Sequence, residues 1–231
     1  MARVTPGPTV GQISGSIGAT VFSHNRYGSY VRLRTVPTNP KTAYQLGIRA
    51  ILSACSSAWK ALDDASKVAW GAWAQTNPIN DRLGMQQVLA PNVAYIGLNS
   101  RIIQAGGAAI DVPPVTDAPQ PLLTLSLDAD IGAGDVQVTY TVATLGATEK
   151  LWVQAAVTES PAITYVQNRL KLVVIGAAAT ASPLVILDEI EVRFGSLQVG
   201  QLVTVQCSVL DGASGLLSVP LRASAVVELT V

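Results

Sequence analysis

The stretch Ile17-Gly-Ala-Thr-Val-Phe-Ser-His-Asn-Arg-Tyr-Gly-Ser-Tyr-Val-Arg-Leu-Arg-Thr-Val36 decides how the front of this chain folds. In its second half, arginine and tyrosine side chains alternate with valine and leucine, and a period of two marks a β-strand. The segment Asn25–Gly28 supplies turn residues that join this strand to the apolar run before it. The sequence therefore predicts a β-hairpin with one apolar face and one face that bears Tyr30, Arg32 and Arg34.

A two-stranded hairpin is only marginally stable by itself in water. We expect this one to dock on its own helices or on a neighbouring subunit, held by strand addition and by arginine–carboxylate pairs. The side chains that we expect at the partner interface lie in the turn and on the second strand: Arg26, Tyr27, Tyr30, Arg32 and Arg34.

Positive charge is concentrated at the front of the chain. Residues 1–62 hold seven of the fifteen lysines and arginines and no acidic residue, so this part carries +7. The remaining eight basic and fifteen acidic residues give −7. An acid-free end predicts an anionic partner, either nucleic acid or an acidic protein surface. The basic residues are scattered along the segment, which disfavours nucleic acid.

The composition indicates a subunit of an assembly. Of the 231 residues, 49% are hydrophobic and only 13% are charged, so the surface has little charge to keep it soluble alone. Cys55 and Cys207 are too far apart in sequence to indicate a metal site or a disulfide framework, and we expect both to be buried. Neither a signal peptide nor a membrane span is predicted.

Three helices are predicted between the hairpin and residue 110. The first is capped by Thr38 or Asn39, with Pro40 in its first turn, and runs to about Leu62. The second is capped by Asp63 or Asp64 and reaches Trp73, and the third is capped by Asn92 and ends at Gly106-Gly107. The spacing of Trp59, Trp70 and Trp73 fits the core of a helical hairpin.

The pattern changes completely after the proline-rich segment 111–121, which predicts an extended linker. Beyond it, short β-branched runs alternate with turn residues, and we expect seven strands: Leu122–Leu127, Val136–Val142, Leu151–Val157, Leu170–Ile175, Leu184–Val192, Leu202–Leu210 and Ala223–Val231. The expected class is α+β with two domains. An arm and hairpin over 1–36 precede a helical domain over 37–110, and an all-β sandwich covers 122–231.

The last half resembles fibronectin type III and related immunoglobulin-like modules. The features that carry the resemblance are Trp152 on the third strand, the run Leu197–Asp211 and the turn and strand start Ser214–Pro220. Leu202 stands where that family usually has its corner tyrosine, so the resemblance is one of architecture. It implies a module that binds, spaces or decorates.

Residues 11–107 resemble a family of little-characterised proteins encoded in phages and prophages. The resemblance lies in the order of several motifs along the chain: Phe22-Ser-His-Asn-Arg-Tyr-Gly28, Val36-Pro-Thr-Asn-Pro-Lys-Thr42, Trp59, Asp64-Ala-Ser-Lys-Val-Ala-Trp70 and Leu98-Asn-Ser-Arg-Ile-Ile103. It implies a virion structural protein made in the host cytoplasm.

No motif for catalysis is found. His24 is the only histidine, and Gly11–Gly18 lacks the Gly-Lys-Ser/Thr ending of a phosphate loop. Asp188, Glu189 and Glu191 fit solvent-facing charges on a strand, and a loop with Asp128, Asp130 and Asp135 leaves calcium binding open as an alternative. We expect no enzyme activity, no cofactor and no metal.

These patterns favour a phage virion structural protein that forms homo-oligomers. We expect a head decoration or cement subunit, or a subunit of the head–tail region, whose partners are capsid, portal or tail proteins and not a membrane. Two alternatives remain open: a module that binds the host surface or a glycan, and a nucleic-acid-binding protein.

Overall fold

The computed structural model describes residues 2–3, 5, 7–8, 11–25, 28–80, 85–132, 135–142, 145–177 and 182–229. These residues form four helices and thirteen strands in four antiparallel sheets, which confirms the α+β class. The chain folds as two compact units, Met1–Leu46 and Gly47–Val231. The second unit contains both the helical segment and the β-rich half that the sequence divides at 111–121.

The first unit is built on a four-stranded sheet in the order β1-β4-β3-β2. Its strands are β1 (Ala2–Arg3), β2 (Gly15–Ile17), β3 (Thr20–Asn25) and β4 (Gly28–Leu33). Phe22 of β3 lies opposite Val31 of β4, and Asn25 lies opposite Gly28 beside the turn. The predicted hairpin is confirmed, and it extends into a sheet because β2 and β1 add a strand on each side.

Three helices follow: α1 (Ala43–Ala61), α2 (Asp64–Thr76) and α3 (Pro91–Gln104). Asp63 caps α2 as predicted, since its carboxylate accepts a hydrogen bond from the Ser66 N–H at 3.3 Å. The other two predicted caps are wrong. At α1 the hydroxyl of Thr42 accepts from the Gln45 N–H at 3.3 Å, and α3 starts one residue before Asn92 with no side-chain cap.

The helices of the second unit share an aromatic core. Trp70 is fully buried, and its ring centroid lies 5.4 Å from that of Tyr95 and 5.7 Å from that of Trp73 in edge-on geometry. The ring centroid of Trp59 also lies 5.4 Å from that of Tyr95, and Cys55 is buried in the same cluster. The three tryptophans therefore pack in a core, as predicted. A two-residue ladder of β5 (Ile79–Asn80) and β6 (Gln86–Gln87) lies between α2 and α3 in sequence.

The β-rich half has two sheets around one hydrophobic core. Every second side chain along the long strands points into this core, as the period of a strand requires, and Val138, Val153 and Val205 are fully buried there. One sheet has the order β11-β8-β7 and the other β10-β9-β12-β13. Their strands are β7 (Thr124–Asp130), β8 (Asp135–Thr141), β9 (Glu149–Thr158), β10 (Lys171–Ile175), β11 (Leu184–Val185), β12 (Leu202–Asp211) and β13 (Leu221–Val226).

The predicted strand Leu184–Val192 is wrong, and with it the expectation of an all-β half. Only Leu184–Val185 is a strand, and helix α4 (Leu187–Phe194) follows it. Ile186 and Ile190 are buried one helical turn apart, while Asp188 lies in the first turn, where the helix dipole favours a negative charge. On a strand, Asp188 would project to the same face as Ile186 and Ile190, whereas on the helix it stays exposed while both isoleucines are buried.

The C-terminal end of α3 packs against the sheet β10-β9-β12-β13. Trp152 lies on the face of β9 opposite to the shared core and contacts a cluster with Ala105 and Leu210. Gly215, in the connection between β12 and β13, has φ +74°, and a Cβ there would lie 2.6 Å from the Leu98 carbonyl oxygen. This close approach joins the helices and the sheets in one unit.

The predicted linker is held against the helices where it begins. The indole N–H of Trp70 donates to the Asp111 carbonyl at 2.8 Å. The side chain of Asn99, which is fully buried, accepts from the Ile110 N–H at 2.7 Å and donates to the Ile110 carbonyl at 3.1 Å. The chain therefore leaves α3 along a path defined by buried hydrogen bonds.

Candidate assembly surface

The register of the N-terminal sheet determines which side chains share a face. Residues directly opposite each other on antiparallel strands project to the same side. Thr20 faces Leu33, Phe22 faces Val31, and Ile17 of β2 faces Thr20. These five side chains form what we call the apolar face of the sheet.

The other side of the sheet carries the polar residues that the alternation predicts. Val21 lies opposite Arg32, and Ser23 lies opposite Tyr30. Arg32 is exposed and Tyr30 is half-buried. We call the side with Val21, Ser23, Tyr30 and Arg32 the cationic face. The predicted separation of an apolar face from an arginine–tyrosine face is therefore confirmed for the described residues.

The remaining predicted interface residues are less closely grouped. Arg34 is exposed and lies just beyond β4, where its backbone N–H donates to the Ala19 carbonyl at 2.7 Å. Arg26 and Tyr27, at the hairpin turn, lie outside the described residues. Tyr30 and Arg32 are thus the two predicted interface residues that the structure places together on one surface.

Within Met1–Leu46 the described residues form no second layer over the apolar face. No described residue of Met1–Leu46 is buried. Ile17 and Leu33 are each 74% exposed, although both are large aliphatic side chains on the same face. A soluble protein normally covers such a face with a second layer of structure, because each fully buried aliphatic side chain contributes about 1.5–3 kcal/mol.

The edges of the sheet are short strands. β2 has three residues and β1 has two, and each pairs on its inner side with a strand of six residues. Edge strands present backbone N–H and C=O groups that can pair with a strand of another chain. The sheet thus offers two kinds of contact, apolar surface on one face and backbone hydrogen bonds at its edges.

The other candidate site residues do not come together. His24 is exposed on β3, opposite Ser29. The carboxylate of Asp130 accepts from the Gly132 N–H at 2.8 Å, which closes a turn. Among the described residues, no group of three or more His, Cys, Asp or Glu side chains could hold a metal ion. None of the helices in that part of the chain is long and apolar enough to cross a membrane.

Both cysteines are buried and free, as predicted. Burial raises the pKa of the Cys207 thiol to about 12, and it also raises the pKa of Cys55. Thiols with raised pKa values are poor nucleophiles near neutral pH, because the thiolate is the reactive form.

No protein-family model matches this chain, and no curated protein is similar to it in sequence.

Arg101 on α3, a cation that the sequence did not single out as a site residue, lies in a cleft of the second unit. Its only signal is position: it stands between Leu98 and Ile102, two buried residues of the same helix. Such a position predicts that the guanidinium lies at the margin of an apolar surface. It does not predict which residues surround the guanidinium.

Proposed function

We propose that this chain is a phage virion structural protein, a head decoration or cement subunit or a subunit of the head–tail region. The observation that carries the proposal is the N-terminal sheet, which exposes an apolar face and in which no described residue is buried. In this role the sheet docks on capsid, portal or tail proteins or on another copy of the chain. The β-rich half then projects from the particle as decoration or a spacer.

Each face of the sheet has its own part in the proposed contact. Ile17, Phe22, Val31 and Leu33 supply apolar area, and Tyr30 and Arg32 supply charge and hydrogen-bond donors on the other side. Arginine binds carboxylates through two parallel hydrogen bonds, which gives directional contacts to an acidic partner surface. The acid-free composition of residues 1–62 favours such a partner over a basic one.

The strand order of the β-rich half supports the immunoglobulin-like part of the proposal. In chain order, the first, second and fifth strands form one sheet (β7, β8, β11), and the third, fourth, sixth and seventh form the other. Immunoglobulin-type sandwiches divide strands A, B and E from strands C, F and G in the same way. Two features depart from that pattern. Helix α4 stands before the sixth strand, and Trp152 is buried on the face of β9 that points away from the core shared by the two sheets.

Incorporation into particles tests the proposal. Tagged full-length variants are supplied to a host whose prophage produces particles without its own copy of this gene. We expect the double variant Ile17→Ser/Leu33→Ser to be lost from purified particles, because about 3 kcal/mol of apolar contact, roughly 100-fold in affinity, disappears. Deletion of residues 1–36 gives the same loss.

Two further variants separate the faces and control for surface polarity. Tyr30→Ser/Arg32→Ser removes the cationic face and is expected to weaken incorporation in a salt-dependent way. Val192→Ser changes a valine that is 86% exposed on α4 and leaves incorporation at the wild-type level. If the chain is absent from wild-type particles, or if the Ile17→Ser/Leu33→Ser variant enters them normally, the proposal is refuted.

A further inference from the structure

The second unit contains a cleft of about 360 Å³ between α2 and α3. Its walls are mostly apolar, and we call it the α2–α3 cleft after the residues that define it: Trp73 on α2, Val93, Leu98 and Arg101 on α3, Leu89 before α3, and Leu216 after β12. Its volume is within the range of sites that hold small ligands or the side chains of a bound segment.

Among the described residues that line the cleft, Arg101 is the one that carries a charge. Its Nη1 donates to the Gly215 carbonyl at 3.3 Å, and within the described parts of the chain it forms no salt bridge. Burial lowers the pKa of Arg101, but a guanidinium remains protonated at neutral pH. It has five N–H donors, so one long bond to a neutral carbonyl leaves most of them for another partner.

A cation that is partly removed from water and lacks a carboxylate is costly. The other described residues that line the cleft supply no opposite charge, since they are apolar apart from the neutral Asn77. A ligand with a carboxylate would complement this cation, and an apolar group next to that carboxylate would complement the walls. The chemistry of the cleft therefore matches an amphipathic carboxylate.

The rim of the cleft is apolar beyond the cavity itself. Ile79 and Val93 line it and are 46% and 48% exposed, and Val88, next to Leu89 in sequence, is 55% exposed. A small carboxylate confined to the cavity would leave this rim uncovered. A polypeptide segment has apolar side chains on both sides of an acidic residue and can cover the rim as well as the cavity.

We propose that the α2–α3 cleft binds a segment of a partner protein in which an aspartate or glutamate stands between apolar residues. The carboxylate pairs with the guanidinium of Arg101, one neighbouring side chain packs against Trp73 and Leu89, and the next covers Ile79 and Val93. This site belongs to the unit Gly47–Val231 and does not depend on the proposed role in a virion.

The test uses the full-length protein and an array of acetylated, amidated nonapeptides. Each peptide has one central glutamate with varied apolar residues around it, and each has a twin with glutamine at that position. We expect binding by members of the glutamate set, with at least tenfold weaker binding of each glutamine twin, since the twin keeps the shape and loses the charge. Fluorescence anisotropy of the best labelled peptide then gives its Kd.

Variants assign the binding to this cleft. Arg101→Gln is expected to weaken the best peptide at least tenfold, and Arg101→Lys to weaken it less, because lysine keeps the charge without the planar fork. Val93→Ser weakens it several-fold through the rim. Arg169→Gln and Val192→Ser, which change an exposed arginine and an exposed valine elsewhere in the same unit, leave the Kd unchanged. Thermal unfolding of each variant checks that the unit is folded.

Three results would overturn the proposal. The first is that no array member binds with a Kd below about 1 mM, the second that glutamate and glutamine twins bind alike, and the third that Arg101→Gln and Val93→Ser both bind like the wild type. A parallel titration with 4-phenylbutyrate separates the two sources of a carboxylate. If this small acid binds as tightly as the best peptide, the cleft is a small-molecule site, and the inference of a partner segment is wrong.

Discussion

Substitution of Gly215 by alanine tests the packing of α3 on the connection between β12 and β13. Gly215 has φ +74°, and a Cβ at this position would lie 2.6 Å from the Leu98 carbonyl oxygen and 3.1 Å from Cγ1 of Ile102. The atom at 2.6 Å belongs to the backbone of a helix and cannot rotate away. Either the helix moves away from the sheet or the connection changes its path.

Two costs add in this variant. A left-handed conformation costs an alanine about 1–2 kcal/mol, and overpacking a close contact costs about 1–3 kcal/mol more. Gly200 supplies the matched control, since it has φ +86° and open space where its Cβ would lie. Gly200→Ala therefore has the conformational cost alone. The lower chain entropy of unfolded alanine offsets both variants equally and cancels in their difference.

The assay is unfolding in urea followed by tryptophan fluorescence. All four tryptophans, at positions 59, 70, 73 and 152, belong to the unit Gly47–Val231, so the signal reports on the unit that contains both glycines. We expect the free energy of unfolding of Gly215→Ala to be about 1–3 kcal/mol below that of Gly200→Ala. If the two variants agree within about 0.5 kcal/mol, α3 does not approach Gly215 as described.

Three other predictions concern buried or half-buried groups. Burial raises the pKa of Asp211, but hydrogen bonds from Ser214, Ala213 and Thr148 outweigh this effect and lower the pKa below 3.8. The variant Asp211→Asn should therefore be less stable by about 1–2 kcal/mol near neutral pH. This difference should vanish as the pH falls below about 3.8, and its persistence in acid would contradict the role of the ionised carboxylate. Cys55 and Cys207 should react with a thiol reagent only in denaturant, and rapid reaction of either thiol in the folded protein would refute their burial. Trp70→Phe breaks the hydrogen bond to the Asp111 carbonyl and should lower the free energy of unfolding by about 2–4 kcal/mol, measured by heat or urea. Tyr95→Phe removes a buried hydroxyl that has no hydrogen-bond partner among the described residues, so it should cost much less. Equal losses would contradict the hydrogen bond of Trp70.

Local patterns in the sequence were sufficient to predict an element where that element depends on residues close to one another in the chain. The alternation from Tyr30 to Leu33 predicted both the hairpin and the division of its faces, since the period of a strand is set by its backbone. The cap at Asp63 and the tryptophan core of the helices were predictable for a similar reason, because each depends on residues close in sequence or at helical spacing.

The errors occur where local patterns compete. The segment Leu184–Val192 is rich in β-branched residues and is short, so its composition indicates a strand. The structure makes most of it a helix, because Ile186 and Ile190 then reach the core while Asp188, which a strand would place on their face, stays exposed. Trp152 lies on the third strand, where an immunoglobulin-like sandwich has a tryptophan in its core. Here its side chain points to the opposite face of β9 and packs in the cluster with Ala105.

By itself, the sequence determined the α+β class, the two faces of the N-terminal hairpin and the concentration of positive charge before residue 63. Only the tertiary structure decided that the helices and the β-rich half form one unit, that Ile17 and Leu33 are largely exposed, and that Arg101 lies in a cleft whose other described residues carry no charge. The reason is that periodicity and capping are set by residues a few positions apart. Contacts such as that between Arg101 and Gly215 join residues more than a hundred positions apart, and no local pattern encodes them.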